Sequence, residues 1–511
     1  MAIDAGEAGV SPVTEDPTWE ELGYHQRLTN DDLAPLQRQS WKTYNIFAFW
    51  MSDVHSVGGY VTMGTLFALG LTAWQVFICL IVGICIVNFF CNLVAKPSQQ
   101  AGVPYPVTSR ASFGVFGANI PAIIRGLIAV AWYGVQTYLA AESLNIVFIK
   151  LWPSTASLAD GHHMFLGLSY LGYVSYAVLW VLQAALFWRG MGPIRKFIDY
   201  AGPAVYVVML AMCLYMLSKV HWHLNLNLSD HTLHGSALIG TMFAAIAAVV
   251  SYFSGPMLNF GDFARYAKDF RAVKRGNFLG LPVNFIFFSL LTVLTAACTK
   301  PLYGELITDP IQTVQKINTT FAILLGGLTF VVATIGINIV ANFISPAFDF
   351  SHVNPQRISW RTGGMIAAVG SVLLTPWNWY ANDTAIFWTL GILGALIGPL
   401  FGILIADFYV VRKQKIVVDD LFTVEPTGVY YYRNGYNPVA VYSVIASGVI
   451  SMASVVVPKL TDTMDWMPKY SWFIGCAAGY LVYLAIAKVV GVSGWGGQAL
   501  TATTEAEPAE A

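Results

Sequence analysis

Charge is what this sequence lacks. Asp, Glu, Lys and Arg make up 11% of its 511 residues, less than half of the about 25% usual for soluble domains. The chain therefore belongs in lipid. Its net charge of −1 gives no sign of a nucleic-acid partner. The six cysteines (Cys79, Cys85, Cys91, Cys213, Cys298 and Cys476) form no CxxC pair and fall in or at the ends of apolar runs. Buried free thiols are expected there, with no disulfide and no metal site. The first 40 residues are polar and acidic and hold no basic-then-apolar leader, so no cleavable signal peptide is expected. No Ser/His/Asp set, zincin motif or Gly-rich phosphate loop points to an enzyme or to a bound cofactor. No soluble domain is evident either: the longest polar stretches are residues 1–40 and 411–436.

What the sequence does have is apolar length. A helix needs about 20 apolar residues to cross the hydrocarbon core. Twelve such runs lie near 43–69, 74–95, 119–150, 164–188, 198–219, 236–258, 277–299, 317–344, 363–378, 384–410, 437–457 and 469–490, the ninth being short enough to leave eleven as the other count. They are far too long for barrel strands, so an all-α membrane protein is expected. Aromatics at 14%, with 16 Trp and 25 Tyr, suit interfacial belts. Basic residues crowd "RYAKDFRAVKR" (265–275), "WRGMGPIRK" (188–196) and "VVRKQK" (410–415), whereas "PSTASLADGHH" and "TDPIQT" are nearly free of them. Positive loops stay inside, which puts both termini in the cytoplasm of a multi-pass plasma-membrane protein. The expected division is a cytoplasmic segment (1–40), a ten-helix core (41–410), a cytoplasmic loop (411–436), two extra helices (437–492) and a disordered acidic tail (493–511).

Two runs are interrupted. "WMSDVHSVGGY" (50–60) puts Asp53, His55, two serines and a Gly58-Gly59 pair inside the first span. "YFSGPMLNF" in span six puts Ser254-Gly255-Pro256 where a helix should continue. The expected breaks, at 52–59 and 253–256, are five spans apart. That is the pattern of two inverted five-helix repeats whose first helices are discontinuous around a midplane binding site. Spans three and eight are equated by the same symmetry. Trp132 and Gln136 are i, i+4 in span three, as are Asn338 and Asn342 in span eight, so each pair shares a helix face. An indole stacks on a flat ring, and a carboxamide pairs with the N–H/C=O edge of a cyclic amide. The competing reading is that the buried amides only glue helices together.

Taken jointly, "WKTYNIFAFWMSDVHSVGGYV", "GVPYPVTSRASFGVFGANIPAIIRGLIAVAWYGVQTY", "GPMLNFGDFARYAKD", "NIVANFISPAFDF" and "ADFYVVRKQKIVVDDLF" resemble the nucleobase–cation symporter family of hydantoin, allantoin, uracil and cytosine permeases, nearest its bacterial allantoin and hydantoin branch. The likeness runs from about residue 35 to 490. It implies a LeuT-type 5+5 inverted-repeat core plus two C-terminal helices, and a flat heterocycle held between aromatic rings of spans three and six. By position, Trp132 is similar to the stacking tryptophan, and Gln136 and Asn342 to the amides that pair with the ligand. Phe253 stands where the family's hydantoin transporter has a second tryptophan, with Tyr252 beside it. Asn338 joins the substrate set one turn before Asn342. Ser56 stands where relatives carry Gln or Asn.

The cation site departs from the family pattern. The carbonyls would come from Ser52, His55 and Ala333, but the two hydroxyl positions are Gly336 and Ile337, which offer no hard oxygen ligand. A strong sodium site is therefore not expected. Asp53, His55 and Glu142 become candidates to carry a proton instead, because ionisable groups at bilayer depth are functional by default and His titrates near neutrality. Asp262, Arg265 and Asp349, near cytoplasmic helix ends, are expected to serve as caps or ion pairs, the alternative being that they lock the inward or outward state. The loop histidines at 162–163 and 221–223 are expected to be solvated. The expected function is a secondary transporter, monomeric, importing a small planar nucleobase or cyclic ureide with H+ or Na+. The alternative is a LeuT-fold carrier of amino acids or another small solute.

Overall fold

The computed structural model of the protein describes residues 18–55, 57–64, 66–224, 226, 233–379 and 383–490. The first span is a pair, α1 (Thr43–Val54) and α2 (Val57–Gly64), parted at His55. It is followed by α3 (Ala73–Ala101), the short α4 (Tyr105–Phe113) and the long α5 (Asn119–Leu151). A small hairpin of β1 (Met164–Phe165) and β2 (Leu168–Ser169) leads into α6 (Tyr170–Trp188), and α7 (Met191–Lys219) ends the first repeat. The second repeat begins with α8 (Gly235–Leu258), the one-turn α9 (Gly261–Ala264) and α10 (Phe270–Phe278), which runs through a π-turn at 279–283 into α11 (Asn284–Tyr303). Then come the short α12 (Pro310–Ile317) and α13 (Thr320–Ile337), which runs through a π-helical stretch at 338–344 into α14 (Ser345–Val353). α15 (Trp360–Leu373) and α16 (Asp383–Ile405) close that repeat, and α17 (Pro438–Thr461) and α18 (Ser471–Val490) stand outside it.

Among the described residues, 10 helices or continuous helix series are long and apolar enough to cross a membrane. The broken α1–α2 pair and the 14-residue α15 bring the architecture to about twelve crossings. The inversion is visible in the short helices: α4 follows the second crossing on the face where α1 begins, the entry face, and α12 follows the seventh on the opposite face. Helix starts follow local chemistry. Thr72, Ser169, Asp269, Asp309, Thr319, Ser359 and Asn437 each cap a first turn with a side-chain oxygen. α16 and α18 meet backbone to backbone: a Cβ on Gly402 would lie 2.1 Å from the Cys476 carbonyl, and one on Gly479 2.3 Å from that of Pro399. Small residues permit this approach where lipid supplies no hydrophobic drive.

Three expectations need correction. Span six does not break at 253–256: α8 continues past Pro256 and ends at Asn259. Proline removes only its own donor, which would have served the Tyr252 carbonyl. The Asn259 N–H still reaches the Gly255 carbonyl at 3.3 Å, so one more turn survives. Cys85 is exposed and Cys476 half-buried rather than both buried, although all six thiols are free; Cys85 sits on the outward side of α3, where an apolar thiol suits lipid. Spans five and seven begin earlier than the apolar runs suggested, at Met191 and Phe270.

The entry face is crossed by a strap, residues 18–42. Arg265 donates to the carbonyls of Asp32 (2.8 Å), Ala34 (2.6 Å) and Gly102 (3.1 Å). Arg110 of α4 donates to the Leu28 and Leu421 carbonyls and to His352 Nε2. Asn30 donates to Ser351 Oγ and the Pro355 carbonyl just past α14. The Asp32 carboxyl lies half-buried under the strap. Burial pushes it above the usual carboxylate range, opposed by the Trp360 N–H and by Arg265 and Arg361.

A second buried cluster anchors the last helices. Asp407 pairs with Arg412 Nε at 2.7 Å and accepts from Ser112 (2.8 Å) and from Tyr483 of α18 (2.6 Å). Arg412 also donates to Tyr432 and to the Ala111 carbonyl. Removing one partner of such a pair strands a buried charge, at a cost of about 3–5 kcal/mol. Arg412→Ala should therefore sharply lower the melting temperature in detergent. Asp407→Asn in the same chain should restore part of the loss, because no charge is then stranded. Equal melting temperatures for wild type and Arg412→Ala would show that the pair contributes nothing.

Candidate functional site

The site is assembled on α5, which runs beside the first break and both π and α parts of span eight. Gln136 is buried and donates from Nε2 to the Tyr252 hydroxyl at 3.2 Å, while its Oε1 has no hydrogen-bond partner among the described residues. One turn away, the Trp132 ring meets Tyr252 edge-on, with centroids 5.3 Å apart at 81°. Phe253 lies behind Tyr252, packed edge-on against it at 5.1 Å and against Phe285 at 5.5 Å. Tyr252 thus stands across from Trp132, and Phe253 supports it. Gly58 of α2 closes the other side. A Cβ there would fall 2.6 Å from both amide atoms of Gln136. The glycine in the broken helix is what lets α2 approach this amide. Ser56 lies outside the described residues.

The two asparagines divide their work. Asn338 donates to the Gln183 side chain (2.8 Å), to Thr137 Oγ1 (3.0 Å) and to the Tyr133 carbonyl (3.3 Å). Its oxygen accepts from Asn342 Nδ2 at 3.0 Å. Asn338 is therefore a positioning group that fixes the Asn342 amide. The π-helical turn carrying both is a common device where a helix must re-aim side chains at a site. Span eight runs antiparallel to α5 here, with Asn338 on Thr137 and Phe343 on Tyr133, while the long Arg125 side chain reaches the Ala341 carbonyl.

The expected cation residues do not gather in one place. Gly336 faces the first break: a Cβ on it would sit 3.6 Å from the Ser52 carbonyl oxygen. Ser52 turns its hydroxyl toward the Ile198 carbonyl at 3.5 Å, and Ala333 and Ile337 are buried on the same helix. His55 points to the back of the break, edge-on to Tyr206 with centroids 3.6 Å apart. Asp53 is buried with Oδ1 unpartnered, in the field of Arg125. Glu142 is not with them. It lies farther along α5 toward the opposite face, bonded by Asn145 at 3.4 Å, near Asp309.

Arg125 is the functional residue that sequence reasoning passed over. It is fully buried and donates to the Gly255 carbonyl (3.3 Å), to Asn259 Oδ1 (3.2 Å) and to the Ala341 carbonyl (3.1 Å). It thereby joins the end of α8 to the π stretch of span eight. The one signal for it was a lone arginine at the start of an apolar run, "PAIIRGLIAV". Asp262, expected as a cap or ion-pair partner, accepts from the Tyr105 N–H (2.8 Å) and from Asn259 (3.3 Å). Asp349 has no hydrogen-bond partner on either oxygen among the described residues. The loop His163 pairs with exposed Asp160 at 2.9 Å. Among the described residues no three His, Cys, Asp or Glu side chains converge as a metal site.

On the opposite face, a cavity of about 400 Å³ is lined by Ala248, Ser251, Phe387, Trp388, Lys459 and Asp462, among others. Its floor at Ser251 adjoins Tyr252, so it approaches the aromatic cluster from outside.

An inverted-repeat helix bundle with aromatic and amide groups gathered at a helix break is the architecture of an alternating-access membrane transporter. The chain belongs to the family of permeases for cytosine/purines, uracil, thiamine and allantoin, which matches residues 34–475. It is 31% identical over 466 residues to an allantoin permease of Bacillus subtilis (strain 168), covering 91% of this chain and 94% of that one. It is 24% identical over 486 residues to the uracil permease of Saccharomyces cerevisiae, covering 91% and 77%. Among solved structures, Mhp1, a nucleobase-cation-symport-1 family transporter in a closed conformation with bromovinylhydantoin bound, superposes with a TM-score of 0.73 at 22% identity, over 91% of this chain and 96% of that one.

Gly58→Ala tests the close approach of the broken helix. The new methyl displaces the far end of a flexible side chain, so the fold should hold while Gln136 swings out of place. Ligand affinity should fall by at least about tenfold, or 1.4 kcal/mol, at an unchanged melting temperature without ligand. Unaltered affinity would remove Gln136 from the site.

Proposed function

We propose that this protein is a secondary active importer of a small, uncharged, planar ring with cyclic amide edges, a nucleobase or cyclic ureide such as allantoin, hydantoin or uracil. One observation carries the reading: Gln136, with an amide oxygen unpartnered among the described residues, lies one turn from the Trp132 ring beside a broken helix. A carboxamide offers a donor and an acceptor side by side, which matches an N–H/C=O edge, and the indole face matches the ring. The groups gathered there are neutral, which favours an uncharged ring over a zwitterion. The names of the family and of the permeases it resembles agree with this cargo.

The coupling ion in this reading is the proton. Gly336 faces the Ser52 carbonyl and Ile337 follows it, so neither supplies a hydroxyl where sodium would need one. The protein resides in the plasma membrane with its entry face in the cytoplasm, because the basic segments at 188–196, 265–275 and 410–415 gather on that face.

A thermal-shift panel on purified protein tests the cargo and the ion together. The ligands are uracil, cytosine, allantoin, a substituted hydantoin, hypoxanthine and leucine, each with and without sodium. A ligand at 100 times its Kd stabilises the folded state by about 2.7 kcal/mol. One ring compound should raise the melting temperature equally in both salts, and Trp132→Ala should abolish that rise. Stabilisation by leucine alone would replace this reading with an amino-acid carrier. A rise only in sodium would overturn the proton.

A further inference from the structure

We propose that Asp349 is the residue that carries the coupling proton, in a buried charge cluster between the substrate site and the entry face. The inference rests on the proton-coupled reading above and names its site. Asp349 lies on α14 and is fully buried, and neither carboxyl oxygen has a hydrogen-bond partner among the described residues. It packs beside α5, where a Cβ on Gly126 would be 3.5 Å from the Asp349 Cβ. Arg125, the next residue on α5, interacts with Asp349, Asp262 and Asp53.

The charges around Asp349 do not balance. Arg125 from α5 is the cation beside Asp349, whereas Arg265 from the segment after α9 lies beyond Asp262 and is shared with Asp32. Asp53 from α1, Asp262 from α9 and Asp349 itself bring three negative charges. Arg265 also has its nitrogens committed to three carbonyls of the strap and of Gly102. The other facing group is the neutral Tyr105 of α4. His352, one turn along α14, is taken up by Arg110, and Arg361 at the start of α15 is exposed. With Arg265 shared between Asp262, Asp32 and the strap, Arg125 faces more carboxylates than it can neutralise.

An uncompensated buried charge is too costly to persist, so it binds a proton or a cation. Asp262 keeps its charge more readily, because the Tyr105 N–H and Asn259 bond it. Asp349, with no donor among the described residues, is the carboxyl that takes the proton. A metal ion is disfavoured by the adjacent guanidinium and by the lack of a third ligand among the described residues.

The placement also couples the proton to transport. Arg125 holds Gly255 of span six and Ala341 of span eight, the helices that carry Tyr252 and Asn342. The strap covers the end of α14 through Asn30. Release of the strap would admit water to Asp349, and the proton O–H bond would break with transfer to that water and a carboxylate left behind. The ionised Asp349 then competes with those carbonyls for Arg125 and loosens the substrate site.

The test is direct. Infrared difference spectra of the wild-type protein in lipid, between neutral and alkaline buffer, should contain the band of a protonated carboxyl. Asp349→Asn should remove that band, and Asp349→Glu should shift it. In proteoliposomes, wild type should concentrate radiolabelled allantoin or uracil under an inward proton gradient. Asp349→Asn should exchange label across the membrane yet end at equal concentrations inside and out, and Asp349→Glu should keep some accumulation. A carboxyl band unchanged in both variants, or concentrative uptake by Asp349→Asn, would overturn the assignment while leaving proton coupling intact. Wild-type uptake indifferent to the proton gradient would overturn proton coupling itself. If the Asn variant fails to fold, the Glu variant decides by its band alone.

Discussion

One guanidinium holds the transport core in register. Arg125 is fully buried, and burying a cation is affordable only with close partners. Its partners are the side-chain oxygen of Asn259 and backbone carbonyls of two helices, Gly255 next to the proline of α8 and Ala341 in the π stretch. Pro256 withdraws a donor from one helix, and the π-turn disturbs the ladder of the other. Arg125 supplies donors where regular helix geometry is lost. Trp132 follows seven residues later on the same helix, about 10 Å along the axis at 1.5 Å per residue. The binding groups and the charge cluster are thus mounted on one rigid column, and a change in either reaches the other through α5.

The substrate side is built by backing each exposed group with a committed one. Asn338 spends its amide on Gln183, Thr137 and the Tyr133 carbonyl, and so presents Asn342 in a fixed orientation. Phe253 is packed behind Tyr252, and Tyr252 engages Gln136. Such supporting contacts confine a carboxamide that would otherwise rotate freely, and specificity for one amide edge depends on that confinement.

Much of this was legible in the residues because lipid makes polarity conspicuous. Asp53, His55 and the glycine pair stood out in an apolar run, and α1 does end at Val54 with His55 as its cap. The class of fold followed from the run lengths. The end of α8 was misread because a proline was taken to stop a helix at once, whereas neighbouring donors carried it to Asn259. Asn338 and Asn342 share a face by spacing, and spacing cannot tell the presenting amide from the supporting one. Glu142 also looked like a coupling residue by burial alone, yet it lies away from the break with Asn145. Arg125 was passed over because its meaning is entirely tertiary: its partners come from residues 255, 259 and 341.

The most direct test of the account is a structure of the protein with its ring ligand bound, determined by electron cryomicroscopy in lipid nanodiscs without sodium. The account predicts the ring against the Trp132 indole, with its amide edge on Gln136 and Asn342 and with Tyr252 moved off Gln136. Ligand density confined to the outer cavity beside Trp388 and Lys459, with Gln136 still bonded to Tyr252, would contradict it.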